Sequence, residues 1–260
     1  MYVIQIDKAT KTYNNGTIAV HPTSLNFEPG TFNAILGPSG AGKSTLLRMI
    51  NGLEIPTTGE IIIQGQTLTA KNLRQVRSRT AMVFQQFNLV GRLNVMTNIL
   101  TGRLYYIPWW SSMLYMFGQR DWNIAQWALN RVSLKEKAWE RVDRLSGGQQ
   151  QRVGVARALA QRPEVILADE PVASLDPIAS EEIMELLKEI CRQDGITIVA
   201  NLHQVSLALR YADRVIGLNK GHVVFDDSPL ALSKNKDTLR TIYQREDGSV
   251  DDSLEMAVTD

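Results

Sequence analysis

Apolar residues follow one another in several short runs, and each run ends at small or polar residues. Residues 32–36, 165–168 and 196–200 are almost entirely apolar, which predicts strands buried on both faces, as in a parallel sheet. Residues 2–7 and 18–27 instead alternate apolar and polar positions around an Asn-Asn-Gly turn, which predicts an antiparallel β-layer. The pattern therefore predicts an α/β fold with an antiparallel layer ahead of the buried strands.

Shorter patterns predict four more strands. Residues 59–65 and 79–84 each form one, and residues 214–219 and 223–225 bracket a Lys-Gly pair, which predicts a hairpin. Adding an antiparallel hairpin to the buried parallel strands makes the main sheet mixed.

From about residue 87 to 160 the pattern changes to helices and loops, and all five tryptophans lie there. We expect a helical insertion between two strands of the core. Residues 108–117 are conspicuously apolar and aromatic, beginning with Pro108, Trp109 and Trp110. One interpretation is that they pack within the helical lobe. The other is that they form an exposed patch that docks a partner, and the two interpretations are compatible.

Composition narrows the class of protein. The formal net charge of +1 gives no support for nucleic-acid binding. The single cysteine, Cys191, excludes an internal disulfide and a cysteine-based metal cluster, which suits a reducing cytosol. No signal segment is recognisable at the start, and no run of about 18 apolar residues occurs, so we expect a membrane role to be exercised through partners.

A glycine-rich loop joins the run at 32–36 to a helical pattern. Residues 37–44 fit the spacing G-x-x-x-x-G-K-S, and Leu46, Leu47 and Ile50 follow at helical intervals. In a loop that joins a strand to a helix in this way, backbone N–H groups and the helix N-terminus point toward one anion. A Gly- and Ser-rich turn that matches by chance is the alternative. We predict that the loop binds a nucleoside triphosphate.

Two side chains of this loop have predicted roles. Lys43 is expected to reach the β- and γ-phosphate oxygens, and the Ser44 hydroxyl is expected to ligate Mg²⁺. The loop alone indicates only that a nucleotide binds, so the reaction must be inferred from other residues.

Polar residues end three predicted strands, at the edge where open α/β sheets bind their ligands. Asp169 is expected to hold the Mg²⁺ hydration shell, and Glu170 is expected to deprotonate a water aimed at the γ-phosphate. Gln85 is expected to meet the Mg²⁺ or that water, and His203 to hydrogen-bond the γ-phosphate. Salt-bridging acids, a surface glutamine and a structural histidine are the alternatives.

A second anion site is predicted at Ser146, Gly147 and Gly148, which open the helical pattern of residues 150–160. An ATP sandwiched between two copies, with the phosphate loop of one facing this turn of the other, would give both sites a purpose. The alternative is an ordinary serine cap followed by flexible glycines.

Together these motifs resemble those of the ATP-binding subunits of ABC transporters, in order and at fitting spacing over about residues 3–230. Leu-Ser-Gly-Gly-Gln at 145–149, after a phosphate loop, is highly specific to that family. The resemblance implies a P-loop NTPase core with an antiparallel β subdomain and an inserted helical subdomain. It also implies that one ATP-binding domain covers residues 1–245.

The resemblance extends to individual residues. It implies that Glu170, His203 and Gln85 are catalytic and that Ser44, Gln85 and Asp169 hold Mg²⁺. Tyr13 would stack on adenine, although a tyrosine that closes the hairpin is the alternative. The residues implied to bind ATP are Tyr13, Gly37, Pro38, Ser39, Gly40, Ala41, Gly42, Lys43, Ser44, Thr45, Ser146, Gly147, Gly148, Gln149 and Asp176.

A narrower resemblance is to the phosphonate importers of that family, through residues 168–177, 201–205 and 211–218 and the Pro-Trp-Trp insertion. It implies a homodimer that docks on two transmembrane permease subunits, fed by a phosphonate-binding protein. The chain would then be peripheral to the cell membrane on its cytoplasmic side, and would energise import of phosphonates or related reduced phosphorus oxyanions.

Several alternatives remain open. One alternative is that the chain is the ATPase of another ABC importer. Another is that it is a membrane-coupled ATPase of the cell-division or lipoprotein-release type. A chromosome- or repair-type ATPase would need a long coiled-coil insertion, and a P-loop kinase would not explain residues 145–149. Residues 246–260 carry six acidic and no basic residues, so we predict a solvated, disordered tail.

Overall fold

A computed structural model describes residues 1–244 of the chain. The predicted acidic tail at 246–260 lies outside the described residues. The strands are β1 (Ile4–Thr12), β2 (Ile18–Phe27), β3 (Phe32–Leu36), β4 (Thr58–Ile63), β5 (Gln66–Thr67), β6 (Thr80–Val83), β7 (Val165–Asp169), β8 (Thr197–Asn201), β9 (Arg214–Asn219) and β10 (His222–Asp227).

The helices follow the strands in most of the connections. The α-helices are α1 (Lys43–Ile50), α2 (Leu73–Arg79), α3 (Val95–Leu100), α4 (Trp109–Met113), α5 (Gln119–Arg131), α6 (Gly147–Ala160), α7 (Pro177–Asp194), α8 (Val205–Tyr211), α9 (Pro229–Lys234) and α10 (Lys236–Tyr243). Short 3-10 helices span Thr101–Tyr106, Lys135–Lys137 and Val142–Arg144. Within residues 1–244, none of the helices is both long and apolar enough to cross a membrane.

Two sheets build the fold. The main sheet has six strands in the order β10-β9-β3-β8-β7-β6, and every pair is parallel except the β9–β10 hairpin. The second sheet has four antiparallel strands in the order β2-β1-β4-β5. The predicted mixed sheet and antiparallel β subdomain are therefore confirmed. Because β3, β8, β7 and β6 are neighbours and parallel, their carboxyl ends meet at one edge.

Alternating residues of the main strands face two different cores. Ile35 and Leu167 pack with the second sheet and with α1, whose Leu46 and Ile50 are fully buried between the sheets. Ala34 and the other alternate positions face the larger core on the opposite side, which α3, α5, α6 and α7 cover. Strands buried on both faces must be apolar throughout, which is why their continuous runs were a reliable signal.

Four of the α-helices, α3 to α6, lie between β6 and β7. Their tryptophans divide into two groups. Trp122 and Trp127 are partly buried and pack against the large core. Trp109 and Trp110 project into solvent, with Trp109 74% exposed. Of the two expectations for residues 108–117, the exposed apolar patch describes Trp109 and Trp110. Packing describes Trp122 and Trp127 further along the lobe, whereas Trp139 is 68% exposed.

Some element boundaries differ from the predicted ones. Strand β1 continues to Thr12 rather than ending at residue 7. Its pairing with β2 is irregular near Lys8, which has φ of 46°. Such a bulge keeps a strand in its sheet while shifting which residues face inward, so simple alternation fails beyond it. The sequence pattern also predicted no helix at α2, whose seven residues bury only Val76 and Ser78.

Candidate active site

The glycine-rich loop connects β3 to α1, as predicted. Gly37 has φ of 151°, and a Cβ atom there would lie 2.1 Å from the carbonyl oxygen of Leu218. Gly42 has φ of 98°, and a Cβ atom there would lie 2.3 Å from the carbonyl oxygen of Ala19. Both positions therefore require glycine, because the loop is pressed against the backbones of β9 and β2.

Between these glycines, Pro38, Ser39, Gly40 and Ala41 form the turn of the loop, closed by a hydrogen bond from the Ala41 N–H to the Pro38 carbonyl. The Lys43 side chain folds back over this turn. Its Nζ donates to the carbonyl oxygen of Gly37 at 2.7 Å and to that of Pro38 at 2.9 Å. The loop thus holds an ammonium group at the position where a polyphosphate would be bound.

The hydroxyl of Ser44 meets the carboxylate of Asp169 at the edge of the sheet. Ser44 Oγ donates to Asp169 Oδ1 at 2.8 Å, and Asp169 itself is buried at the end of β7. The two residues lie 125 positions apart in the chain and meet because β7 is separated from β3 only by β8. The structure brings these two predicted Mg²⁺ ligands together.

A third residue completes this cluster and was not predicted. Asn201 ends β8, is fully buried, and donates from Nδ2 to the same Asp169 Oδ1 at 2.8 Å. Its own Oδ1 is buried without a hydrogen-bond partner among the described residues. The register that pairs Asp169 with Asn201 places them side by side. Its polar side chain at the end of an apolar run is the signal that the sequence offers, but only the strand register shows that it lies opposite Asp169.

Glu170 and His203 also meet at this edge. Nε2 of His203 lies 2.6 Å from Oε1 of Glu170, so the imidazole N–H donates to the carboxylate. Glu170 has φ of 52°, a left-handed conformation that costs energy for a non-glycine residue and commonly occurs at functional sites. The Tyr243 hydroxyl of α10 donates to the backbone carbonyl of His203 at 3.3 Å. Glu170 and His203 therefore form a pair that can hold and orient a water.

Gln85 follows β6 at the same edge, next to β7, but its side chain is exposed. Within residues 1–244, no hydrogen bond joins it to Asp169 or Glu170. Downstream of it, Phe87 and Asn88 have φ of 53° and 49°. Arg157 of α6 donates to the carbonyl oxygens of both, at 3.0 Å for Phe87. Burial lowers the pKa of this guanidinium from its ordinary value.

The Ser146 turn begins α6 with a reciprocal cap. The Gln149 N–H donates to Ser146 Oγ at 3.3 Å, and the Ser146 N–H donates to Gln149 Oε1 at 3.2 Å. Gly147 and Gly148 are the first two residues of the helix. No hydrogen bond or ion pair among the described residues joins this turn to the phosphate loop of its own chain. The structure therefore keeps the two predicted anion sites apart within one chain.

The remaining predicted nucleotide contacts lie in two places. Asp176 caps α7, with its Oδ1 accepting from the Ala179 N–H at 2.9 Å. Tyr13 follows β1, is half-buried, and its hydroxyl lies 3.3 Å from Thr45 Oγ1 on α1. That hydrogen bond places the Tyr13 ring beside the phosphate loop, whereas Asp176 has the capping role of an ordinary helix start.

The oxygen donors at this edge fit Mg²⁺. This ion is commonly held by one or two carboxylates together with substrate phosphates and waters. Asp169 supplies a carboxylate and Ser44 a hydroxyl within one hydrogen-bonded cluster. The unpartnered Asn201 Oδ1 is an additional buried acceptor in the same cluster, suited to a metal-bound water.

Comparison with known proteins agrees with this geometry. The sequence profile of a family described as ABC transporter matches residues 20–173. The chain is 96% identical to "Phosphonates import ATP-binding protein PhnC 2" of Trichodesmium erythraeum (strain IMS101), over 260 residues and the whole of both chains. It is 60% identical to the phosphonates import ATP-binding protein PhnC of Thiobacillus denitrificans (strain ATCC 25259 / T1), over 99% of each chain.

Two solved structures share the fold. The ATP-binding cassette MJ0796, in a dimeric post-hydrolysis state bound to ADP and Pi, is 36% identical with a TM-score of 0.76, covering 87% of this chain and 98% of that one. The protein cbiO1 from Clostridium perfringens, part of the ABC transporter complex cbiONQ, is 28% identical with a TM-score of 0.81, covering 95% and 96%. On its sequence, its fold and the residues at the edge of its sheet, this chain belongs to the ABC transporter family.

Proposed function

We propose that this chain is the ATP-hydrolysing subunit that energises phosphonate import by an ABC transporter complex. The observation that carries the hydrolytic part is the convergence of Lys43, Ser44, Asp169, Glu170 and His203 at one edge of the main sheet. The cargo is inferred from the Trichodesmium relative, which bears a phosphonate-import name and differs from this chain at few positions.

In this proposal the phosphate loop and Lys43 bind the triphosphate, and the half-buried Tyr13 ring stacks on the base. Ser44 and Asp169 would hold Mg²⁺, and Gln85, which follows β6, would be a further oxygen ligand. When bound, the metal supplies positive charge that offsets the charge of the terminal phosphates.

Glu170 and His203 handle the proton in this proposal. The water oxygen attacks the terminal phosphorus, the bond from that phosphorus to the bridging oxygen breaks, and the Glu170 carboxylate takes the proton of the water. His203 already donates a hydrogen bond to Glu170 and so fixes the direction of its carboxylate. We propose that His203, which follows β8, also contacts the γ-phosphate, as predicted from the sequence.

The second half of each site is proposed to come from another copy of the chain. Ser146, Gly147, Gly148 and Gln149 present a helix N-terminus that does not contact the phosphate loop of its own chain. In a dimer with the loop of one chain facing this turn of the other, that N-terminus meets the γ-phosphate. Asp176, which begins the next helix after Glu170, is proposed to lie at the same junction.

Hydrolysis removes the group that holds the two copies together, so ATP binding and release become a closing and opening movement. We propose that two permease subunits receive this movement, that a phosphonate-binding protein supplies their cargo, and that the chain works at the cytoplasmic side of the cell membrane. The cargo does not touch this chain, so its identity depends on the partners.

Phosphate release by the purified chain tests the hydrolytic part. Lys43→Ala should weaken ATP binding and abolish turnover, because the loop loses its ammonium group. Glu170→Gln should retain ATP binding and lower turnover by about 10²- to 10⁴-fold, the usual contribution of a general base. Turnover unchanged in either variant would contradict the assigned role.

Growth and uptake test the cargo. A strain that lacks the gene is offered phosphonate, phosphite or phosphate as its sole phosphorus source, with and without a copy of the gene. Restored growth on phosphonate alone, and no restoration by the Glu170→Gln gene, is the expected result. A strain that needs the gene for none of these sources would exclude phosphonate import.

A further inference from the structure

Charge is distributed unevenly along the chain. Residues 61–120 contain no Asp or Glu, although the whole chain has 27 acidic and 28 basic residues. The same 60 residues contain seven basic ones, namely Lys71, Arg74, Arg77, Arg79, Arg92, Arg103 and Arg120. Arg103 is buried and paired with Asp121, and Arg77 donates to backbone carbonyl oxygens, whereas the other five cations are exposed. Exposed cations without neighbouring acids in the sequence suit a polyanionic surface.

The same segment has the densest exposed apolar surface. Nineteen large apolar side chains are exposed in residues 1–244, and nine of them fall between residues 104 and 116. They are Leu104, Tyr105, Tyr106, Trp109, Trp110, Met113, Leu114, Tyr115 and Met116. We call residues 104–118 the Trp109 segment. Exposed apolar clusters of this kind mark a contact surface.

The positive and apolar groups are adjacent in space. A groove of about 540 Å³ separates α2 from the 3-10 helix Thr101–Tyr106, and none of its described lining residues is acidic. Lys71 and Arg74 line one side and Tyr105 the other, with the Arg74 guanidinium 5.4 Å from the centroid of the Tyr105 ring. Lys71, just before α2, and Arg74, within α2, therefore border the Trp109 segment.

These features match the interface of an anionic bilayer. Tryptophan and tyrosine favour the headgroup level of membranes, and lysine and arginine beside them attract anionic lipids. The segment from Ile107 to Gly118 has no charged residue, and α4 within it has only five residues. It is too short to span a bilayer, so its side chains would enter the headgroup region from the side.

We propose that the Trp109 segment, together with Lys71 and Arg74, binds directly to an anionic lipid surface. The proposal rests on the proposed function only in requiring that the chain works beside a membrane. That function needs contact with permease subunits alone, whereas the lipid contact would give the ATPase its own hold on the bilayer. Lys71 and Arg74 are exposed on a groove without described acidic lining residues, and they are the charge complement of phosphate headgroups.

Flotation with vesicles tests the proposal on the purified full-length chain. Vesicles contain either phosphatidylcholine with phosphatidylglycerol or phosphatidylcholine alone. The wild type should float with the anionic vesicles, less so at high salt, because surface charge is screened. The double variants Trp109→Ser/Trp110→Ser and Lys71→Gln/Arg74→Gln should each bind about tenfold more weakly.

Matched variants control for exposure and charge. Trp139→Ser removes a tryptophan that is 68% exposed on the same lobe, and Arg210→Gln removes an exposed arginine of α8. Both should bind vesicles like the wild type. Quenching of wild-type tryptophan fluorescence by brominated lipid gives a second readout that needs no variant.

Three results would overturn the lipid proposal. The wild type does not bind the anionic vesicles, or the control variants lose binding as strongly as the segment variants, or binding requires permease subunits in the vesicle. The last result would identify the segment as a protein interface. ATP hydrolysis by the same variants is measured separately and should stay at the wild-type rate, so failure of the proposed function would be seen independently.

Discussion

At the scale of single residues, Asp169 is where two hydrogen bonds of the candidate site meet. Its Oδ1 accepts hydrogen bonds from both Ser44 and Asn201. If Ser44 turns its hydroxyl oxygen toward Mg²⁺, Asn201 is the donor that still holds the carboxylate in place. A carboxylate fixed by a buried neighbour is prepared to hold a metal without reorganisation.

This arrangement makes a prediction for Asn201→Leu. The variant keeps the branched shape of the side chain but removes the amide that orients Asp169, so Mg²⁺ should add less to ATP affinity. Titration of ATP with Mg²⁺ and with EDTA measures that increment, and the loss should be about tenfold, the lower end for residues that support a metal ligand. Affinity in EDTA should be unchanged.

Asn33→Leu is the matched control. Asn33 is also a buried asparagine of the main sheet with an unpartnered Oδ1, but it lies near the start of β3 rather than at the ligand edge. Both variants should alter the free energy of unfolding. An equal loss of the Mg²⁺ increment in both would show that Asn201 acts only through stability.

The residues of this site differ in how far sequence could predict them. Lys43 and Ser44 follow from the loop spacing, and Asp169 and Glu170 from two acids after a buried run. Asn201 was missed because its role depends on register. Only the pairing of β7 with β8 shows that it lies opposite Asp169.

At the scale of elements, α6 links two parts of the site. Its first residues carry the Ser146 turn, and Arg157 in its third turn holds the carbonyl oxygens of Phe87 and Asn88. Those residues follow Gln85 and have left-handed backbones. The guanidinium therefore stabilises a strained connection between the end of β6 and the helical lobe.

Arg157→Met should accordingly destabilise the protein. The change leaves two carbonyl oxygens without their charged donor, and the free energy of unfolding should fall by about 2–3 kcal/mol. Urea unfolding measures it. Arg131→Met is the control, because Arg131 makes a peripheral ion pair with Asp194 and should cost about 1 kcal/mol or less. Equal losses in the two variants would contradict the buried role of Arg157.

Element type was predicted best where burial was complete. The strands β3, β7 and β8 are buried at every position. Their short apolar runs are therefore typical of strands in a sheet that is covered on both faces. The seven-residue helix α2 buries only two side chains, so its sequence has no helical periodicity of apolar residues. The sequence also did not predict that Trp122 is partly buried whereas Trp109 is exposed. Both lie in one helix-rich segment, and only their packing in the folded chain distinguishes them.

At the scale of the whole molecule, two sheets hold α1 and the phosphate loop between them. A further contact joins the sheets beside that loop, since the rings of His21 on β2 and His222 on β10 stack with centroids 3.8 Å apart. No sequence pattern predicted this pair. The sheets position the loop, Asp169 and Glu170, while the Ser146 turn belongs to the helical lobe and makes no hydrogen bond to the loop within residues 1–244.

That separation is the reason for proposing two copies. One chain contains both predicted anion sites, and no hydrogen bond or ion pair within residues 1–244 joins them. A second copy, related by a two-fold axis, would supply the missing half of each site and produce a closed dimer.

The most direct test of this claim is the mass of the Glu170→Gln chain in solution with saturating Mg²⁺ and ATP, measured by gel filtration with light scattering. The account predicts about twice the 29.1 kDa chain mass with ATP, and a single chain without it or when Ser146→Arg is added to the same variant. A single chain in saturating ATP, or a dimer that survives Ser146→Arg, would contradict the account.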